Sequence, residues 1–300
     1  MASSNAAKST KKARKITLEL LMSAATLTKS SNETAEAYMA RITHLHLQGK
    51  RLEVVENLEK CTNLKVLYLY DNNISQVASD ALDFAQGLQY IYLQNNQLTE
   101  IPVMSATTLR KLNFDENEIS LVSGLENCPK LEELRIADQR LPNFTSLNFD
   151  QPSLDAISHR LECLDISGNN ISNLRQFGCL YNLKKLFASN NNVVDLYEIE
   201  SIIGLSQLAE ANFLGNPCAS VQNYRDYAIG AASDSFRILD DLSFQRHQQV
   251  AIRALMQFRR RAGLANDSRG GSNQSLNTNS ISKGNSKGEG KVSLQIGSAM

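Results

Sequence analysis

The 300-residue chain has no tryptophan, only five prolines and five cysteines, and no net formal charge. Each shortage excludes something. The cysteines (Cys61, Cys128, Cys163, Cys179, Cys218) are odd in number, far apart and free of any C-x-x-C pair, which argues against a disulfide framework or a zinc knuckle and fits a reducing cytoplasm. No apolar run approaches the roughly 18 residues that span a bilayer. The stretch Ile16–Leu27 is interrupted by Glu19, Thr17 and Thr26, so no secretory leader is expected there. There is no Gly-rich phosphate loop, G-x-S-x-G elbow or H-E-x-x-H motif. His44 and His46 form an H-x-H without an evident third ligand, and His159 and His247 stand alone. The expectation is a protein that is not an enzyme and needs neither metal nor cofactor.

A balanced total charge also speaks against bulk binding to nucleic acid or a membrane surface. The balance is uneven along the chain, however. Residues 1–15 hold five basic residues and no acid, 251–262 hold four arginines and no acid, and 263–300 hold four basic residues against two acids, which leaves −11 on residues 16–250. An acidic body lies between basic ends.

Hydrophobic content of 42% is enough for a sizeable core once polar ends are set aside. Self-comparison shows how it is organised. The phrase L-x-x-L-x-L-x-x-N-x-L recurs eight times, starting at Ile42, Leu64, Leu88, Leu109, Leu131, Leu161, Leu183 and Leu208, at spacings of 22, 24, 21, 22, 30, 22 and 25 residues. That period and phrase define leucine-rich repeats. The x-L-x-L segment alternates as a half-buried strand does, and the connections carry apolar residues about every third position, as in Val55, Leu58 and Cys61, which suits short α or 3₁₀ turns. The predicted fold is an α/β leucine-rich-repeat solenoid, with a curved parallel sheet on the concave side, short helices or 3₁₀ turns on the convex side, and a cap at each end.

The recurring asparagine (Asn72, Asn96, Asn117, Asn169, Asn191, Asn216) supplies a buried amide to backbone groups that lose their ladder partners where the chain turns. Lys50 replaces it in the first copy and Gln139 in the fifth, which is also the 30-residue copy, so a local bulge is expected there. The expected organisation is a disordered basic segment at 1–15, an N-terminal cap at 16–41, eight repeats at 42–216, a C-terminal cap and helix at 217–262, and a disordered Ser/Asn/Gly-rich tail at 263–300.

Residues flanking the strand leucines point outward onto the concave face, where core packing does not dictate their identity. Tyr68, Tyr70, Tyr90 and Tyr92 fall on two adjacent strands, with Asp115, Glu116 and Glu133 beside them and Arg135 and Phe187 further along. Tyrosine and arginine dominate protein-binding hot spots, which makes these nine residues the candidate partner-binding surface. The same tyrosines also suit a cross-strand ladder that only stabilises the sheet.

Leu67-Tyr68-Leu69-Tyr70-Asp71-Asn72, Ile91-Tyr92-Leu93-Gln94-Asn95-Asn96, Gly124-Leu125-Glu126-Asn127-Cys128-Pro129-Lys130-Leu131 and the 22-residue period resemble the leucine-rich regulatory subunits of protein phosphatase 1. Gln139-Arg140-Leu141-Pro142, Leu147-x-Phe149-Asp150 and the phrase from Leu161 to Ile171 are similar to the testis-type leucine-rich member of that family, and the likeness runs from about Ile16 to Asp241. The resemblance implies a regulatory or targeting subunit for the phosphatase catalytic chain, cytoplasmic and associated with centrosome or cilium, and monomeric outside its complexes. Two departures stand out: Leu239-Asp240-Asp241 where Leu-Asp-Gly is usual, and no phosphatase-docking tetrapeptide, which Lys15-Ile16-Thr17-Leu18 only approaches. A second reading is a structural component of centrosome or axoneme whose basic ends meet tubulin or axonemal proteins. Neither reading involves nucleic acid or membrane.

Overall fold

A computed structural model describes residues 14–104 and 107–261. Apart from Arg14 and Lys15, the two segments expected to be disordered lie outside the described residues. Strands of three residues recur at His44–His46, Val66–Tyr68, Tyr90–Tyr92, Lys111–Asn113, Glu133–Arg135, Cys163–Asp165, Lys185–Phe187 and Glu210–Asn212, and pair in parallel in that order. Ile238–Leu239 extends the sheet in parallel, and Leu242–Ser243 closes it as an antiparallel hairpin, giving ten strands. The central apolar residue of each repeat strand and the apolar residues flanking it are buried in one continuous core, with Phe114, Phe177 and Phe213 among its largest members.

The register never slips. Leu45 faces Leu67, which faces Ile91, Leu112, Leu134, Leu164, Leu186 and Ala211 in turn. Buried amides enforce it. Asn117 Nδ2 donates to Leu93 O (3.0 Å) in the repeat before and to Phe114 O (2.9 Å) in its own, while its Oδ1 accepts from Leu98 N (3.1 Å). Asn72, Asn96, Asn169, Asn191 and Asn216 bridge adjacent repeats in the same manner. Gln139 fills the position without the expected bulge. Its Nε2 donates to Phe114 O (2.9 Å) and its Oε1 accepts from Ile119 N (3.0 Å), because the longer side chain reaches the same groups. The surplus residues of that copy leave on the convex side, where Leu121–Val122 pairs with Asn148–Phe149 and a short helix follows at Gln151–Ile157.

The residue before each ladder position turns through the left-handed region: Gly49, Asp71, Asn95, Glu116, Asp138, Gly168, Asn190 and Gly215 all have positive φ. Glycine adopts this region freely and Asn or Asp tolerates it, which accounts for seven of the eight choices. The Leu-Asp-Asp departure follows the same rule, since Asp240 and Asp241 both have positive φ.

Convex connections divide along the chain. Toward the C-terminus they are helical, with 3₁₀ turns at Arg175–Cys179 and Pro217–Ser220 and an α-helix at Leu196–Ile203. Toward the N-terminus the expected turns give way to extended pairs such as Val54–Val55 with Gln76–Val77, where β-branched side chains favour extended backbone. Two helices precede the first repeat: α1 (Leu18–Ala24), capped by Thr17, and α2 (Ala35–Ala40), capped by Thr34. Beyond α3 (Gln151–Ile157) and α4 (Leu196–Ile203), the last repeat is followed by α5 (Tyr224–Ala231) and α6 (Arg246–Arg261). No helix among the described residues is long and apolar enough to cross a membrane.

Replacing Asn117 by alanine strands Leu98 N in an apolar interior, while Leu93 O and Phe114 O each lose one of two amide donors and keep Asn96 and Gln139. The expected loss of stability is about 1–3 kcal/mol, read as a lower midpoint in chemical denaturation, whereas Glu118→Ala on the exposed side of the same turn changes stability by less than about 0.5 kcal/mol.

Candidate functional site

Strict register turns the outward side chains into rows that cross the concave face. One row runs His46, Tyr68, Tyr92, Asn113, Arg135, Asp165, Phe187, Asn212, and its neighbour runs His44, Val66, Tyr90, Lys111, Glu133, Cys163, Lys185, Glu210. Val66, outward by pattern, is nonetheless buried between the ring-bearing positions 44 and 90 of its row.

The tyrosines form a stack. The rings of His46 and Tyr68 lie 4.6 Å apart and nearly parallel, those of Tyr68 and Tyr92 lie 5.1 Å apart and nearly parallel, and Tyr70 meets Tyr68 edge-on at 6.4 Å. Lys111 Nζ sits 5.6 Å above the Tyr92 ring and terminates the stack with a cation. The ladder is therefore real, and it is also partly exposed, so the same rings stabilise the sheet and present flat faces to solvent. His46, first met as half of a bare H-x-H, is a member of this stack. Its place was available in the repeat spacing, which puts residues 46, 68 and 92 in one row.

The charged candidates separate into two groups. Glu133 accepts from Lys111 (2.9 Å), and Arg135 reaches Asp115 (3.1 Å) on one side and Asp165 (2.9 Å) on the other. Asp115 also accepts from Ala137 N (2.7 Å). Burial pushes the Asp115 carboxyl up from its usual range, although the Ala137 amide and Arg135 pull it down. Asp115, Glu133 and Arg135 are thus satisfied by one another and by Lys111 and Asp165, and they stiffen repeats four to six more than they invite a partner. Sequence patterning places such residues on a face and leaves their pairing to side-chain geometry. Glu116, Asp71 and Asp138 differ: they lie on the left-handed rim beside the sheet, exposed, with no cation within ion-pair distance among the described residues. Phe187 is half-buried in the same row as the stack, four strands beyond Tyr92, and is not part of the tyrosine cluster.

Cys163 lies between Glu133 and Lys185 on the concave face, and burial pushes its thiol up to about 11, so it is not a thiolate at neutral pH. Among the described residues no group of three His, Cys, Asp or Glu side chains is placed to hold a metal. The segment nearest to a phosphatase-docking tetrapeptide is occupied by the fold: Ile16 is buried, Lys15 pairs with Glu56 at 3.0 Å, and Leu18 opens α1.

Glu116 stands where seven equivalent positions carry Gly, Asn or Asp, and its left-handed backbone costs about 1 kcal/mol. Glu116→Asn is expected to raise the unfolding midpoint by that amount in chemical denaturation, while removing one of the rim carboxylates.

A family model described as leucine rich repeat matches residues 40–98, and a second leucine-rich-repeat model matches residues 160–180. Podocan of Mus musculus is 27% identical over 177 residues, covering 51% of this chain and 29% of that protein. An adenylate cyclase of Schizosaccharomyces pombe is 29% identical over 164 residues, 53% of this chain and 8% of that one. The chain therefore spans less than a third of the length of either relative. Among solved structures, internalin C2 from Listeria monocytogenes superposes with a TM-score of 0.52 at 20% identity, covering 69% of this chain and 88% of that one, a likeness of fold alone. Repeat phrase, amide ladder and these likenesses agree, and the chain folds as a leucine-rich-repeat solenoid.

Proposed function

We propose that the protein is a non-enzymatic scaffold that binds a protein partner on its concave face, centred on the His46–Tyr68–Tyr92 stack. The observation that carries this reading is the stack itself: contiguous, rigid and partly exposed rings, bordered by the rim carboxylates of Asp71, Glu116 and Asp138. Rings already ordered by their neighbours lose little entropy on binding, and unpaired rim acids favour a partner with a basic edge and speed its arrival at low salt.

The sequence resemblance nominates the catalytic subunit of protein phosphatase 1 as that partner, with regulation or targeting of the phosphatase as the outcome, and the centrosome or cilium as the place. Burial of Ile16 supports the concave face over a docking tetrapeptide as the contact. The exposed arginines at the end of α6 favour the second reading, a centrosomal or axonemal adaptor that meets the acidic surface of tubulin.

Tyr68→Ala with Tyr92→Ala is expected to reduce capture of the phosphatase catalytic subunit by about tenfold or more, with circular dichroism confirming a folded solenoid. Undiminished capture by the folded double variant would remove the concave face from the proposal. Failure of the unaltered protein to capture the subunit would remove that partner and leave the surface open to others.

A further inference from the structure

Helix α6 (Arg246–Arg261) contains five arginines and a histidine and no acidic residue. One face fastens it to the end of the solenoid. Buried Gln249 donates through Nε2 to the carbonyls of Ile229 and Ala232 (both 3.2 Å) and of Ser233 (3.1 Å), closing the C-terminus of α5. Arg253 donates to Gly230 O (3.1 Å) and to Asp234 (2.8 Å), Ile252 packs on the core, and Met256 lies against Gly230 where no side chain would fit. Positions 249, 252, 253 and 256 repeat with helical spacing and account for the attachment.

The opposite face is not polar, as a surface helix would normally require. Val250, Leu255 and Phe258 are 56%, 45% and 64% exposed, and Ala251 and Ala254 are exposed among them. With one face already fastened by Gln249, Ile252, Arg253 and Met256, the apolar residues of the other face have no partner of their own, and a contiguous exposed apolar stripe of this kind marks a contact surface. Arg259, Arg260 and Arg261 project at its C-terminal end, exposed and without a carboxylate within ion-pair distance among the described residues.

We propose that this outer face of α6 docks an amphipathic α-helix of a partner protein that carries acidic side chains opposite Arg259–Arg261. Two features choose this occupant. Ala251 and Ala254 run along the middle of the stripe, with Val250 and Leu255 to either side, a groove that lets a second helix approach to the usual 8–10 Å. A lipid surface takes its binding energy from several large apolar side chains on the outermost line of a helix, and here that line holds His247, Ala251, Ala254 and a single large apolar side chain, Phe258. Charge settles the rest. In an antiparallel pair of two copies of this chain, Arg259–Arg261 would face Arg246 and His247, and in a parallel pair arginines would face arginines. Residues 262–300 hold Asp267 and Glu289 against Arg269, Lys283, Lys287 and Lys291, and so offer no acidic complement. The surface stands at the end of the solenoid and is independent of the concave-face reading.

A labelled synthetic helix of about three heptads, with leucine at the two seam positions and glutamate at most others, is the probe, and its fluorescence anisotropy is followed against the full-length protein. Binding that weakens with added salt is expected. Phe258→Glu, and separately Arg261→Glu, which shares the outer face with Ala254 and Phe258, should each reduce affinity about tenfold or more. The unfolding midpoint should stay unchanged because these side chains are exposed, and Tyr68→Ala with Tyr92→Ala should bind the probe normally. The proposal is overturned if the unaltered protein ignores the peptide, if both α6 variants bind it undiminished, or if a lysine-for-glutamate version of the peptide binds equally well. It is overturned equally if Phe258→Glu abolishes uptake onto phosphatidylserine vesicles or a concentration-dependent dimer while leaving peptide binding intact.

Discussion

A solenoid whose chain turns sharply at the end of every strand must place backbone N–H and C=O groups inside its own apolar interior, and the side-chain amides at those turns make this tolerable. Each amide donates to two or three carbonyls and accepts from one or two N–H groups, and these belong to successive repeats. The bonds are individually modest, but the penalty for leaving such groups unpaired is not. Pairing across repeats fixes the register, register fixes the rows of outward side chains, and the rows bring tyrosines 24 residues apart into stacking contact. The candidate surface is a consequence of the hydrogen bonding beneath it.

Stability in such an array is a sum over neighbours. The first repeat lacks its own amide: Lys50 contributes a backbone N–H to Asn72 and returns no side-chain bond to the ladder. That end relies on other contacts, namely the buried Tyr38 hydroxyl donating to Leu27 O (2.7 Å), Glu53 N donating to Arg14 O (3.0 Å) and Ile16 in the core. At the other end the Asp240 carboxylate accepts from Phe213 N (2.8 Å), where earlier repeats offer a strand carbonyl, Arg225 of α5 donates to Leu239 O (3.0 Å) and Leu242 O (3.1 Å), and α6 packs on α5.

The leucine phrase, its period and the outward positions were all legible in the amino-acid order, because strand alternation and repeat spacing together determine where Leu67 or Tyr92 must point. Less local features were not. The convex connections depend on how β-branched Val54 and Val55 compete with turn residues, and the extra length of the fifth copy was absorbed away from the sheet because Gln139 can reach what an asparagine reaches. The pairing of Arg135 with Asp115 and Asp165, and of Lys111 with Glu133 and the Tyr92 ring, requires side-chain paths across three neighbouring repeats. Composition predicts acids on that face and is silent on which of them remain free.

The left-handed rim also limits how this sequence can change. The Asp138 carboxylate occupies the space that a side chain on residue 168 would need, and the Asn190 amide does the same above residue 215. Gly168 is therefore glycine for two separate reasons, its own backbone and its neighbour's side chain. Relieving one leaves the other in force: turning the Asp138 side chain aside clears the space at 168 but not its positive φ, and likewise for 215 with Asn190. Repeats that look interchangeable along the chain are, at this rim, coupled to their neighbours in pairs.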